Sequence, residues 1–226
     1  MILLPIWQRI LLLLVLVVEV YVDNLSWGSK APVTNLLSIY HSTSEYTTGI
    51  TPVYNTYYIF GLLLGAFGMT FLSLMGVIFN PQVIITPRAS QSYWSDMAYY
   101  TCITGICNIA FTVSDLMRYL KLLLVCLLVL SYYMYRFYVA ANREPLEIWC
   151  KLAISGTLPW PFYASILLTA IVFHPPNILI WWLLITTFAW LMWISFVERG
   201  DIFVAASCLW ILMGIVAHNV TSHFQI

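Results

Sequence analysis

Long apolar stretches alternate with shorter polar ones along this chain, and we interpret seven of the apolar stretches as membrane-spanning helices. They are Ile2–Val22, Ile50–Gly76, Trp94–Val113, Leu116–Tyr138, Ile148–Phe173, Ile178–Val197 and Ile202–Ala217. No small-residue cleavage site follows the first stretch, so we expect it to be retained as a span and not removed as a signal peptide. The pattern therefore predicts an all-α fold, a polytopic membrane helical bundle of about seven transmembrane helices in one integral membrane domain, residues 1–226.

The second stretch, Ile50–Gly76, is the one around which we expect the bundle to be organised. Pro52 suits the first turn of a helix, where the missing backbone N–H has no intrahelical partner to lose. Small residues at helical spacing let a neighbouring helix approach closely. Four glycines follow this spacing and predict a helix-packing face: Gly61, Gly65, Gly68 and Gly76.

Polar and proline-containing segments set the boundaries between the predicted spans. Asp23–Gly49 is a polar connector, and Ser114-Asp115 provides a predicted N-cap for the fourth span. Two prolines in the fifth span, Pro159 and Pro161, predict a kink because a proline removes a helical hydrogen bond. Two further breaks precede the last two spans: His174-Pro175-Pro176 and Glu198-Arg199-Gly200-Asp201.

The composition places the chain in a lipid bilayer. Of its 226 residues 62% are hydrophobic and only 8% are charged, whereas soluble domains have about a quarter of their residues charged. The ten tryptophans and fifteen tyrosines suit a protein that lines two membrane interfaces. The net charge is zero and no run of lysine and arginine occurs, so nucleic acid is not an expected partner.

Lysine and arginine positions favour one orientation of the predicted seven-span bundle. Five of them fall on the side of the N-terminus and three on the other side, and an excess of basic residues marks the cytoplasmic side of a membrane protein. The five are Arg88, Arg136, Arg143, Lys151 and Arg199, and the three are Lys30, Arg118 and Lys121.

Candidate catalytic and metal-binding residues do not form a recognisable pattern. The four histidines lack metal-ligand spacing, and the five cysteines contain no CxxC pair, so we interpret the cysteines as small buried hydrophobic residues. We therefore predict no enzyme activity, no catalytic residue and no metal site. Asn108 lies in the middle of a span and requires a partner, for which a structural hydrogen bond to another helix and a ligand contact are the alternatives. Asp96, near the end of the same span, is a candidate for lining a polar cavity.

Several short segments resemble the translocator protein / tryptophan-rich sensory protein family in its longer form. Ile50-Thr51-Pro52 leads into Thr56-Tyr57-Tyr58-Ile59-Phe60-Gly61-Leu62, which is similar to the Thr-Pro start and aromatic-Gly-Leu helix of that family. Gly105-Ile106-Cys107-Asn108-Ile109-Ala110-Phe111 resembles the Leu-Asn-Trp-x-Trp segment of the family, with Ile109 and Phe111 at the usual tryptophan positions. Pro161-Phe162 resembles the start of its fifth helix, and Glu198–Phe203 before Trp210–Ile215 resembles its last helix.

The resemblance implies a five-helix core over residues 1–174, with two additional helices over residues 175–226. It also implies a ligand-binding pocket for flat hydrophobic molecules, lined here by Tyr57, Phe60, Asn108, Phe111 and Phe162. Because tryptophans of that pocket are replaced, we expect a non-enzymatic scaffold that acts as an accessory subunit of a larger membrane complex. The alternative is binding or transport of a porphyrin, sterol or lipid, the only cofactor-like molecules implied. The expected location is an organellar membrane, with the mitochondrion favoured and the endoplasmic reticulum as the alternative.

Overall fold

The computed structural model describes residues 6–28, 91–117, 119–143 and 148–223, and every regular element within them is helical. Seven α-helices and one π-helical turn follow one another along these residues. They are α1 (Ile6–Gly28), α2 (Gln91–Leu116), α3 (Leu120–Ala141), α4 (Ile148–Thr157), α5 (Pro159–Phe173), α6 (Asn177–Met192), the π-helical turn (Trp193–Val197) and α7 (Ile202–His223). The predicted helix Ile50–Gly76 lies outside the described residues, and so do its four packing glycines.

Four segments of the described residues are long and apolar enough to cross a membrane, and they support the predicted membrane class. They are Ser95–Leu116, Leu120–Ala141, Ile154–Phe173 and Ile178–Val197, and a shorter apolar helical segment covers Ile202–Met213. The all-helical fold with membrane-length helices is thus confirmed. The count of seven spans stays a prediction, as does the division at residue 174.

Helices α2 and α3 form an antiparallel hairpin. At one end the Tyr93 hydroxyl donates a hydrogen bond of 3.1 Å to the backbone carbonyl of Ala141. At the other end the Ser114 hydroxyl lies 3.8 Å from the Cys126 sulfur. Helix α3 also packs against α5, where the hydroxyls of Ser131 and Ser165 are 3.2 Å apart in the buried interior.

Helix α1 packs on α2 in the parallel direction. Gln8 near the start of α1 donates to Ser95 near the start of α2 at 3.1 Å. Further along both helices, Asn108 Nδ2 donates to Glu19 Oε1 at 2.9 Å. The C-terminal end of α1 and the N-terminal end of α2 therefore lie at opposite ends of the bundle, which we call the far end and the near end, with Gln8 at the near end.

The prolines and polar breaks end helices where the sequence indicates. The fifth predicted span is divided into α4 and α5 at Leu158, immediately before Pro159. His174 closes α5 in the left-handed conformation with φ 46°, and the next helix begins after Pro176. Gly200, with φ 61°, lies in the turn before α7, where a residue without Cβ adopts a positive φ at no steric cost.

Three boundary predictions are wrong, and one of them is the end of α7, which continues past Ala217 to His223. Helix α1 continues past Val22 to Gly28, so that residues 23–28 are helical and not part of a polar connector. Ser114 and Asp115 do not cap the following helix, because α2 continues through both of them to Leu116 and the N-cap of α3 is Tyr119. The Ser114 hydroxyl donates instead to the Ala110 carbonyl of its own helix at 2.7 Å, a local hydrogen bond that competes with capping.

The described bundle has a closely packed interior. The side chains with no exposed surface come from α3, α5, α6 and α7, and so tie these helices into one core: Leu127, Phe137, Tyr138, Leu168, Leu184, Val204 and Cys208. The cysteine prediction is confirmed for three of the residues concerned, since Cys102, Cys107 and Cys208 are buried free thiols. Burying such apolar side chains between helices excludes lipid and maximises dispersion contacts, which stabilise helix association in a bilayer.

Candidate functional site

The contact between α1 and α2 contains the mid-span asparagine that the sequence singles out. Asn108 donates to the Glu19 carboxylate, and Glu19 lies well inside α1, with residues 20–28 following it in the helix. The pair joins side chains 89 residues apart in the sequence. The partner that Asn108 requires is therefore another helix.

A glycine makes this contact possible. A Cβ atom built on Gly105 would lie 2.6 Å from Val15 Cγ1 and 3.4 Å from Glu19 Oε2, so any larger residue at position 105 would push α1 away. Glycines at helix crossings in membranes serve this purpose by bringing backbones together. The spacing of Gly105 and Asn108, three residues apart on one helix face, is the signal from which this contact could have been recognised.

The two described aromatic residues of the predicted pocket contact different neighbours. Phe111 on α2 is buried and meets the Trp160 ring edge-to-face, with ring centroids 5.5 Å apart. Phe162 on α5 lies 6.1 Å, centroid to centroid, from Trp190 of α6, and Trp190 also contacts Tyr135 of α3. Asn108, Phe111 and Phe162 thus each contact a different helix. Tyr57 and Phe60, the other two predicted pocket residues, lie outside the described residues.

A buried polar cluster at the near end fastens the beginning of α7 to α4. The Asp201 carboxylate accepts a hydrogen bond of 2.6 Å from the Ser155 hydroxyl and one of 3.0 Å from the backbone N–H of Phe203. The second bond makes Asp201 the N-cap of α7, a role for which aspartate is among the preferred residues. The guanidinium carbon of Arg199 lies 5.5 Å from the centroid of the buried Tyr138 ring, a cation–π arrangement that connects the same turn to α3.

Several of the described charged residues lie at the near end of the bundle. Arg143 forms an exposed ion pair of 2.9 Å with Asp96, which places both residues at the rim of the α2–α3 hairpin. The predicted role of Asp96 in a polar cavity gains no support from this exposed position, because exposed ion pairs contribute little and face solvent. Lys151, near the start of α4, and Arg199, in the turn before α7, lie at the same end.

Most buried hydroxyl groups are satisfied by their own helices. Thr101, Thr104 and Thr112 on α2 each donate to the carbonyl four residues earlier, at 2.8, 2.7 and 3.0 Å. Such back-bonding is the usual way to place a hydroxyl in an apolar helix interface. These groups consequently have a structural explanation that involves no ligand.

The described fold and contacts define a class of protein: an all-helical, membrane-embedded bundle whose described interior is filled mainly by its own apolar and aromatic side chains. Comparison with known proteins goes no further, since the chain matches no protein-family model, no curated protein and no solved structure. The resemblance to the translocator family therefore depends on the short sequence segments alone.

Proposed function

We propose that this protein is a non-enzymatic membrane scaffold that acts as an accessory or structural subunit of a larger membrane complex. The observation that supports this most directly is how the described pocket residues are used. Asn108 is bonded to Glu19, Phe111 packs on Trp160, and Phe162 packs on Trp190. Side chains that hold helices together in this way contribute to a rigid body and not to an open cavity for a ligand.

The outer surface of α6 supports the same proposal. In the apolar stretch of its span Ile178–Val197, only 28% of the residues are buried within the described structure. The corresponding share for the span Ile154–Phe173 is 61%. The exposed side of α6 includes Trp182 and Trp193, which lie eleven residues apart and so share one helix face. Large aromatic side chains are enriched where membrane proteins contact partner proteins or the lipid interface.

The proposed location is an organellar membrane, with the mitochondrion favoured over the endoplasmic reticulum. Short polar turns and few charged residues suit a subunit that is surrounded by other membrane proteins and not by water. A translocator-like arrangement of the first five helices belongs to this proposal.

Extraction in a mild detergent, followed by native size separation and mass spectrometry, tests the proposal. We expect the protein to migrate in a particle much larger than its own 26.0 kDa, together with reproducible membrane-protein partners. Replacing Trp182 and Trp193 by alanine should lower partner recovery. The matched control replaces Leu128 and Tyr132, which are similarly exposed on α3, and should leave recovery unchanged. A lone, monodisperse species from the native membrane would contradict the proposal.

A porphyrin titration of the purified protein tests the ligand-binding alternative. A scaffold with a filled interior should not show saturable fluorescence quenching by the porphyrin. Saturable quenching that is lost in an Asn108→Leu variant would favour the ligand-binding alternative instead.

A further inference from the structure

Asp115 is a buried acid with no partner among the described residues. It lies in the last turn of α2, within the apolar span Ser95–Leu116, and its exposed fraction is 1%. Neither carboxyl oxygen has a hydrogen-bond donor among the described residues. The sequence had assigned this residue to a helix cap, a role that the continuation of α2 to Leu116 excludes.

Three other described acids of the bundle each have a hydrogen-bond partner. Asp201 is equally buried, but its two oxygens accept from Ser155 and from the Phe203 N–H. Glu19 accepts from Asn108, and Asp96 is paired with Arg143. Asp115 therefore differs from Asp201 in its hydrogen bonding and not in its burial.

An ionised carboxylate without hydrogen bonds or a counter-charge is strongly disfavoured in an apolar interior, whereas the neutral acid is tolerated there. The ionisable groups on the described parts of the helices that pack around α2 include Lys121 and Cys126 on α3 and Glu19 on α1. None of the three is a hydrogen-bond partner of Asp115. Lys121 is exposed, Glu19 is itself acidic and accepts from Asn108, and the Cys126 sulfur lies against the Ser114 hydroxyl. Arg118 follows on the chain, but its side chain lies outside the described residues.

We propose that Asp115 is a proton-binding site within the membrane-spanning bundle, holding a proton on its carboxyl group in the folded protein. Exchange with water has a short route, because Asp115 is one residue from the end of α2, and Met117 and Tyr119 beyond it are exposed. The site lies towards the far end of the bundle, away from the Asp201 cluster. This inference is independent of the scaffold function proposed above.

A hydrophobic carbodiimide tests the site directly, since it reacts with protonated carboxyl groups in apolar surroundings. The acid transfers its proton to a carbodiimide nitrogen while its oxygen adds to the central carbon, and rearrangement leaves a stable N-acylurea without a leaving group. We expect dicyclohexylcarbodiimide to modify the full-length protein in detergent at Asp115, as mapped by mass spectrometry. The adduct should be lost in Asp115→Asn and should diminish as the pH is raised.

Asp201 is the matched control, because its burial is the same while its carboxylate is hydrogen-bonded. We expect no adduct at Asp201, and Asp201→Asn should leave modification of Asp115 in place. Infrared spectroscopy provides a second measurement that does not depend on reagent access. The carbonyl absorption of a protonated carboxyl should be present in the original protein and absent from Asp115→Asn.

Three results would overturn the proposal. The first is the absence of both the adduct and the infrared band. The second is an adduct that appears only when Arg118 is replaced by glutamine, which would show that Asp115 is ionised and paired. The third is protection of Asp115 by sodium ions at constant pH and ionic strength, which would make it a metal-cation site.

Discussion

The contact at Gly105 gives the sharpest prediction for the stability of the bundle. In Gly105→Ala, the new Cβ would lie 2.6 Å from Val15 Cγ1, whereas carbon atoms in contact are normally about 3.5–4.0 Å apart. A correction of about 1 Å is needed. Val15 cannot easily provide it, because a β-branched side chain on a helix has one strongly preferred rotamer. We therefore expect α1 and α2 to separate locally.

The expected cost follows from two opposing effects. Overpacking a well-packed contact costs about 1–3 kcal/mol, and replacing glycine by alanine within a helix stabilises it by about 1 kcal/mol. The net loss in free energy of unfolding should therefore be about 0–2 kcal/mol for Gly105→Ala. Adding Val15→Ala removes the clashing methyl group, so the double variant should be more stable than the sum of the single changes by about 0.5–3 kcal/mol.

Unfolding in mixed micelles by increasing amounts of a denaturing detergent, followed by tryptophan fluorescence, measures these differences. Val18→Ala is the matched control, because Val18 is on α1 but exposed, and it should show no coupling with Gly105→Ala. Additive effects of Val15→Ala and Gly105→Ala, with Gly105→Ala about 1 kcal/mol more stable than the original protein, would refute the close approach of the two helices.

Three further predictions concern the polar contacts and the orientation of the helices. Asn108→Leu should destabilise the protein by about 1–2 kcal/mol, because Glu19 loses the hydrogen bond that the Asn108 amide donates. Glu19→Gln should retain most of the stability, since an amide oxygen can still accept that bond. Equal losses of stability for the two variants in detergent unfolding would contradict this prediction. Asp201→Ala should lower the free energy of unfolding by about 1–3 kcal/mol, because it removes the cap of α7 and a buried acceptor. Amide exchange should become faster in the first turn of α7 alone. Unchanged exchange in that turn would disprove the capping role. Cysteines introduced at the exposed positions His174 and Glu198 should react with a membrane-impermeant maleimide from opposite sides of sealed vesicles, and labelling of both from one side would exclude a membrane-crossing α6.

The sequence determined the helical class and several helix boundaries, because hydropathy and proline geometry are local properties. Ile178–Val197 was predicted as a span and is a helical segment long and apolar enough to cross a membrane. The breaks at Pro159 and at residues 174–176 lie where helix-breaking residues stand. The end of α1 was predicted too early, since Asp23 and Asn24 are polar but continue a helix that already exists. Polarity alone does not end a helix, whereas the loss of backbone hydrogen bonds does.

Only the tertiary structure decided which polar groups meet. Asn108 was recognised as a residue that needs a partner, but its bond to Glu19 depends on the parallel packing of α1 on α2 at Gly105. Asp115 and Asp201 are both aspartates near helix ends, and among the described residues the first has no hydrogen-bond partner while the second has two. The difference arises from the rotation of each helix and from what packs against it, and these depend on contacts between residues far apart in the chain.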